Sequence, residues 1–174
     1  MTHTNIVLIG MPGAGKSTVG VLLAKETAKG FVDTDVVIQE REGRTLQEIM
    51  DTEGYLELRA VEERVICSLD LHNHVISTGG SAAYSERAMA HLKTSGIVVF
   101  LYVAPDVLLE RLTNFDQRGI ARRPGQTWQE LYDERFALYR RYADITIDCG
   151  TRGHDEVCAL VCAALDGFCP QQAG

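Results

Sequence analysis

Short, uninterrupted apolar runs alternate along this chain with longer stretches in which apolar residues recur every three or four positions. The runs are Ile6 to Ile9, Phe31-Val32 and Ile97 to Tyr102, short and continuous enough for strands buried on both faces, and the more mixed stretches Val75 to Thr78 and Asp144 to Asp148 read as two further strands. Between them the spacing predicts helices. The first runs from Lys16 to about Lys29-Gly30, with Gly30 as its stop, and a second from Val36 to Arg41. The stretch from Thr45 to about Leu71 reads as two helical pieces broken at Gly54, and Thr45 with Glu48 makes a capping-box pattern. Further helices are expected from Ser85 to Thr94, Pro105 to Leu112, Trp128 to Tyr142 and Asp155 to Leu165, with Pro105 suited to a first helical turn. Strands alternating with helices predict a parallel sheet covered on both faces by right-handed connections. The expected fold is a three-layer α/β/α domain of five parallel strands, and 174 residues suit one such domain.

Between the first run and the first helix lies Gly10-Met11-Pro12-Gly13-Ala14-Gly15-Lys16-Ser17, followed by Thr18. A glycine, four residues and then Gly-Lys-Ser is the P-loop pattern, and its strand-loop-helix context is the one that pattern needs. The glycines let successive N–H groups turn toward phosphate oxygens, and the helix adds the positive end of its dipole. Lys16 is placed to meet the terminal phosphates of a nucleoside triphosphate, and the Ser17 hydroxyl to ligate the accompanying Mg2+. A chance glycine-rich turn would not require these flanks.

Other strand ends carry candidate chemistry. Asp33 and Asp35 follow the second run, where ligands of open α/β sheets bind. One acid suits the metal and the other an acceptor hydroxyl, although Thr34 or Asp35 also reads as a plain helix cap. Gly79-Gly80-Ser81 follows the third run and implies close approach of backbone to ligand, or an ordinary turn. The charges among Leu58, Val61, Val65 and Ile66 read mostly as a solvated face. Periodicity disappears from Thr113 to Thr127, a basic, turn-rich stretch whose length marks it as a lid.

Composition narrows the partners. A net charge of −7 argues against nucleic acid, while Arg111, Arg118, Arg122, Arg123, Arg135, Arg140 and Arg141 crowd one third of the chain and suggest an anion site. The five cysteines, at 67, 149, 158, 162 and 169, read as buried thiols rather than disulfides or zinc ligands, and His72 and His74 as surface residues of a polar turn. No stretch reaches the roughly 20 apolar residues of a membrane span, and Met1 to Asn5 lacks a basic signal region. A cytoplasmic protein with no membrane partner is expected.

The chain resembles the shikimate kinases. The resemblance rests on Gly10 to Ser17, Phe31-Val32-Asp33-Thr34-Asp35, Leu58-Arg59 with Glu62, Gly79-Gly80, Arg111, and Glu134-Arg135-Phe136-Ala137-Leu138-Tyr139, in matching order and spacing. It implies a nucleoside monophosphate kinase-like sheet of order 2-3-1-4-5, a substrate-binding helical region over about 33–71, and a lid over about 113–127. It also implies ATP and Mg2+ and a small hydroxylated carboxylic acid as acceptor; a monomer is expected. By resemblance Asp33 helps hold Mg2+, and Asp35 binds the acceptor hydroxyl and takes its proton. Arg59, Arg135 and the Gly79-Gly80 backbone hold the acceptor, Arg111 lies against adenine, and a lid arginine faces the transferring phosphate: Arg118 by its count back from Arg135, with Arg123, which keeps an Arg-Pro pair, sitting later than the family register. Three departures bear on the acceptor: Ser81 where the family usually has glycine, Leu58 where it has phenylalanine, and a lid reading Arg118-Gly119-Ile120-Ala121 and Arg123-Pro124 in place of Arg-Pro-Leu-Leu. Shikimate is the first candidate; another polyol acid such as gluconate is the alternative within the class. A nucleotide-binding regulatory domain without transfer activity is the alternative outside it.

Overall fold

The computed structural model describes residues 4–111 and 120–168. Five strands, β1 (Asn5–Ile9), β2 (Gly30–Asp33), β3 (His74–Ser77), β4 (Gly96–Tyr102) and β5 (Ile145–Asp148), form one sheet in the order β2-β3-β1-β4-β5. Every pairing is parallel, and Ile6 of β1 faces Val75 on one side and Ile97 on the other. With partners at both edges and helices over both faces, all five residues of β1 are buried. That is why its sequence is a continuous apolar run rather than an alternating one.

The crossovers are α1 (Lys16–Glu26), α2 (Thr34–Glu42), α3 (Leu46–Glu53), α4 (Tyr55–Cys67), α5 (Glu86–Lys93), α6 (Pro105–Arg111), α7 (Trp128–Tyr142) and α8 (His154–Asp166). Helix α1 packs on α8, and α4 on α5. The main core gathers Val7, Leu8, Ile9, Val19, Leu23, Val99, Leu101 and Val161 around the sheet; burying each such side chain contributes about 1.5–3 kcal/mol. A smaller core of Ile38, Ile49, Leu58, Val61, Val65 and Ala121 ties α2, α3 and α4 together beside it. The capping box at Thr45 and Glu48 forms, and Gly54 separates α3 from α4 with φ +85°.

Three local features differ from the pattern-based expectation. Helix α1 stops at Glu26, not at Gly30: the Thr27 hydroxyl donates to the Leu23 carbonyl at 2.6 Å, and Ala28 turns the chain at φ +53°. Gly30 instead opens β2, where the His74 imidazole occupies the space a Cβ would need. His74 accordingly belongs to β3 rather than to a surface turn. A short 3-10 turn, Ala82–Tyr84, follows the glycine pair and has no periodic signature. Among the described residues no helix is long and apolar enough to cross a membrane.

Candidate active site

At the carboxyl end of β1 the backbone enters the glycine loop. Gly10 has φ +151°, and a Cβ there would stand 2.8 Å from the Leu101 carbonyl of β4. Gly15, at φ +92°, delivers the chain into α1 in a left-handed conformation that other residues rarely adopt. Met11 and Ala14 are buried beneath the loop, while Pro12, Gly13, Gly15, Lys16, Ser17 and Thr18 line a cleft of about 400 Å³. The Lys16 ammonium donates to the carbonyls of Gly10 at 2.7 Å and Met11 at 3.0 Å. Burial lowers its pKa to about 8, with Asp35 opposing and Arg135 reinforcing the shift.

The two aspartates divide their work. Asp33 ends β2 and caps α2: its Oδ1 accepts the Asp35 N–H at 3.0 Å, while Oδ2 accepts the Ser17 hydroxyl at 2.5 Å. Capping and site geometry therefore coexist in one carboxylate, and the cap is Asp33 rather than Thr34 or Asp35. Asp35, in the first turn of α2, lines the cleft. Burial, and next the charge of Asp33, raise its pKa to about 6.

A second buried acid closes the floor. Glu62 of α4 is 4% exposed and accepts a hydrogen bond from the Ser81 hydroxyl. Burial, and then the charge of Asp35, raise its pKa to about 7. Gly79 is pressed between these acids, since a Cβ there would collide with both the Glu62 and Asp35 carboxylates. At Gly80 a Cβ would stand 2.6 Å from Arg135 Nη1 and 2.9 Å from Pro12. The pair is fixed from two sides: Gly79 N–H donates to the buried Thr34 hydroxyl at 3.0 Å, and the Tyr139 hydroxyl donates to the Gly80 carbonyl at 2.5 Å.

Arg135 projects from α7 into this floor and is only 1% exposed. Its Nη2 donates to the Ala121 carbonyl at 2.7 Å, and its Nε makes no hydrogen bond. Ile120 and Ala121 line the cleft together with Leu46 and Leu58. Arg59 lies one side chain away, lining an adjoining cleft of about 530 Å³ that shares Glu62 and Ser81 with the first. Its guanidinium stands over the Tyr84 ring, 3.5 Å from the centroid. Arg111 donates to the Gly150 carbonyl at 3.3 Å, at the carboxyl end of β5. Arg118 lies outside the described residues.

The structure thus brings Lys16, Ser17, Asp35, Gly79, Gly80 and Arg135 around one cleft, with Asp33 hydrogen bonded to Ser17, Arg59 on the far side of Ser81, and Arg111 bonded to the β5 end. Sequence reasoning named Glu62 only within the family resemblance and Ser81 only as a departure bearing on the acceptor, without pairing the two, and passed over Tyr84. Glu62 shares the α4 face of Leu58, Val61, Val65 and Ile66, so its place on the apolar stripe was the available signal that it is buried. Tyr84 carried no such signal, because the 3-10 turn aims it.

A parallel α/β sheet with a glycine loop at the head of its first helix, and a polar pocket beside that loop, defines a P-loop nucleotide-binding protein with an acceptor site. The shikimate kinase family model matches residues 12–166. The chain is 40% identical over 147 residues to the shikimate kinase of Thiobacillus denitrificans, covering 83% of this chain and 80% of that protein. It is 37% identical over 162 residues to that of Mycobacterium avium, covering 91% and 92%. The solved shikimate kinase of Acinetobacter baumannii in complex with shikimate superposes with a TM-score of 0.85 at 32% identity, over 97% of each chain. A thymidylate kinase from Candida albicans, 14% identical with a TM-score of 0.65, shares the fold alone. The chain belongs to the shikimate kinase family, phosphotransferases that act on a hydroxyl group.

Proposed function

We propose that this protein transfers the γ-phosphoryl group of ATP to a hydroxyl of shikimate, yielding shikimate 3-phosphate. The observation that carries the reading is the convergence of Lys16, Asp35 and the buried Arg135 on one cleft floored by Gly79-Gly80. The loop N–H groups and Lys16 hold the β- and γ-phosphates, and Arg111 flanks the adenine. Ser17 Oγ and Asp33 Oδ2, 2.5 Å apart at the loop mouth, are hard oxygen donors of the kind Mg2+ prefers. Ser17 would ligate the ion directly and Asp33 through water; when bound, Mg2+ neutralises phosphate charge. Arg135, with a planar fork and an unbonded Nε, receives the acceptor carboxylate, and Arg59 supplies a second fork from the adjoining cleft.

In the transfer, the acceptor hydroxyl oxygen bonds to the γ-phosphorus as the bond to the ADP oxygen breaks, and Asp35 takes the hydroxyl proton. A carboxylate raised to about 6 is mostly ionised at neutral pH yet basic enough to serve. The segment over about 113–127 acts as a lid, with Arg118 meeting the transferring phosphoryl group. The single kinase domain over 1–174 works as a cytoplasmic monomer. An ADP-release assay across shikimate, quinate, gluconate and nucleoside monophosphates tests the reading. Turnover is expected with shikimate and lost in Asp35→Asn; robust turnover with a nucleotide acceptor alone would overturn it.

A further inference from the structure

Among the described residues, Tyr84 is the aromatic ring that reaches both arginines assigned to the acceptor. The Arg59 guanidinium lies 3.5 Å above its centroid, and that of Arg135 lies 5.7 Å away. The Tyr84 hydroxyl donates to Glu134 Oε1 at 2.5 Å, and the other oxygen of Glu134 accepts from Arg123 at 2.9 Å and Gln126 at 3.4 Å. The ring is therefore held at both ends, by the 3-10 turn that carries it and by a carboxylate fastened to residues 123–126. Arg59 is held differently. Its Nε and Nη2 are buried and make no hydrogen bond, so the contact over the Tyr84 ring, supported at 5.1 Å by Tyr55, is what orients it. A guanidinium stacked on a ring keeps its edge donors free for a planar anion.

We propose that Tyr84 is a positioning residue for acceptor binding: its ring, tethered through its hydroxyl to Glu134, is the platform that aims the Arg59 fork at the acceptor carboxylate. This rests on the assignment of Arg59 to the acceptor. Because Tyr84 acts through Arg59 and touches neither the phosphates nor the reacting hydroxyl, its loss falls on acceptor KM. The ATP KM is spared, and kcat changes little.

The test is steady-state kinetics with shikimate and ATP varied separately, for Tyr84→Leu, Tyr84→Phe, Arg59→Ala and the double variant Tyr84→Leu/Arg59→Ala. Tyr84→Leu should raise shikimate KM roughly five- to thirtyfold, the range of a partly desolvated cation–π contact. Tyr84→Phe keeps the ring and should restore most of that loss. The double variant should match Arg59→Ala alone, since a platform without its arginine has nothing left to aim. Losses that multiply in the double variant, or an unchanged KM in Tyr84→Leu while Arg59→Ala is impaired, would overturn the platform and leave the functional reading standing. An unchanged KM in Arg59→Ala would overturn both the platform and the assignment of Arg59. Should Tyr84→Leu fail to fold, NMR of the unaltered protein decides: the Arg59 Nε–H proton, assigned with Arg59→Lys, should be shifted upfield by the ring current, and its appearance at an ordinary position would reject the stack.

Discussion

A carboxylate enclosed by Ser81, Gly79 and Asp35 makes Glu62 an electrostatic burden as well as a part of the site floor. Its pKa of about 7 in the folded protein stands above 4.5 for the free group, so the unfolded chain ionises first. Stability contributed by its protonated form is complete below about pH 4 and drains away as the pH rises through 7. Glu62→Gln removes the charge and keeps an acceptor for Ser81. Urea denaturation should therefore find the variant more stable at pH 8, by at most roughly 3 kcal/mol, with the advantage nearly gone at pH 4.5. A variant less stable than the parent at pH 8 would mean the ionised form is held more favourably than its burial implies. Asp35 titrates in the same window and interacts with Glu62, so the acid limb of a pH–rate profile belongs to the pair rather than to either residue.

Among the elements, α7 and residues 121–126 are bound together. Arg123 pairs with Glu134 at 2.9 Å on a half-exposed surface, a kind of contact worth little by itself. If Arg118 meets the transferring phosphoryl group as proposed, Arg118→Ala should lower kcat by about 10²-fold or more with a modest change in ATP KM, while Arg122→Ala and Arg123→Ala have smaller effects. Equal small losses at all three positions would reject a dedicated lid arginine, and a dominant loss at Arg123 would transfer the role to the Arg-Pro pair. Much of the architecture was legible from the chain because its signals are local. Apolar runs marked β1 and β4 within a residue of their ends, and the helix over Trp128–Tyr142 was delimited as observed. The glycine loop was legible for the same reason, since one backbone conformation demands those residues. The floor of the acceptor cleft was only partly legible. Whether a charge on an amphipathic helix is solvated or buried depends on what packs across from it, and Glu62 meets Ser81 from 19 residues away. Arg59 was named from family likeness, and the ring that holds it belongs to a turn without periodicity.

For the whole molecule, nucleotide binding and stability are linked. ATP at 100 times its Kd adds about 2.7 kcal/mol, or roughly 5–10 °C in Tm for a chain of this size. Lys16→Ala should fold, because among the described residues the Lys16 ammonium hydrogen bonds to the Gly10 and Met11 carbonyls of its own loop, and should lose most of that ATP-induced shift along with transfer activity. A differential scanning fluorimetry series with and without ATP checks both; an undiminished shift in Lys16→Ala would remove the loop from nucleotide binding.

The strand order carries a consequence for the birth of the protein. β1 is synthesised before the other four strands and is the central strand of the finished sheet, yet its hydrogen-bonding partners begin at His74 and Gly96. At about 5–20 residues per second, both edges of Ile6-Val7-Leu8-Ile9 wait on the order of ten seconds for their neighbours to leave the ribosome. During that interval a short, uncharged, strongly strand-forming segment stands unpaired, which is the profile of a nascent chain that a chaperone would shield.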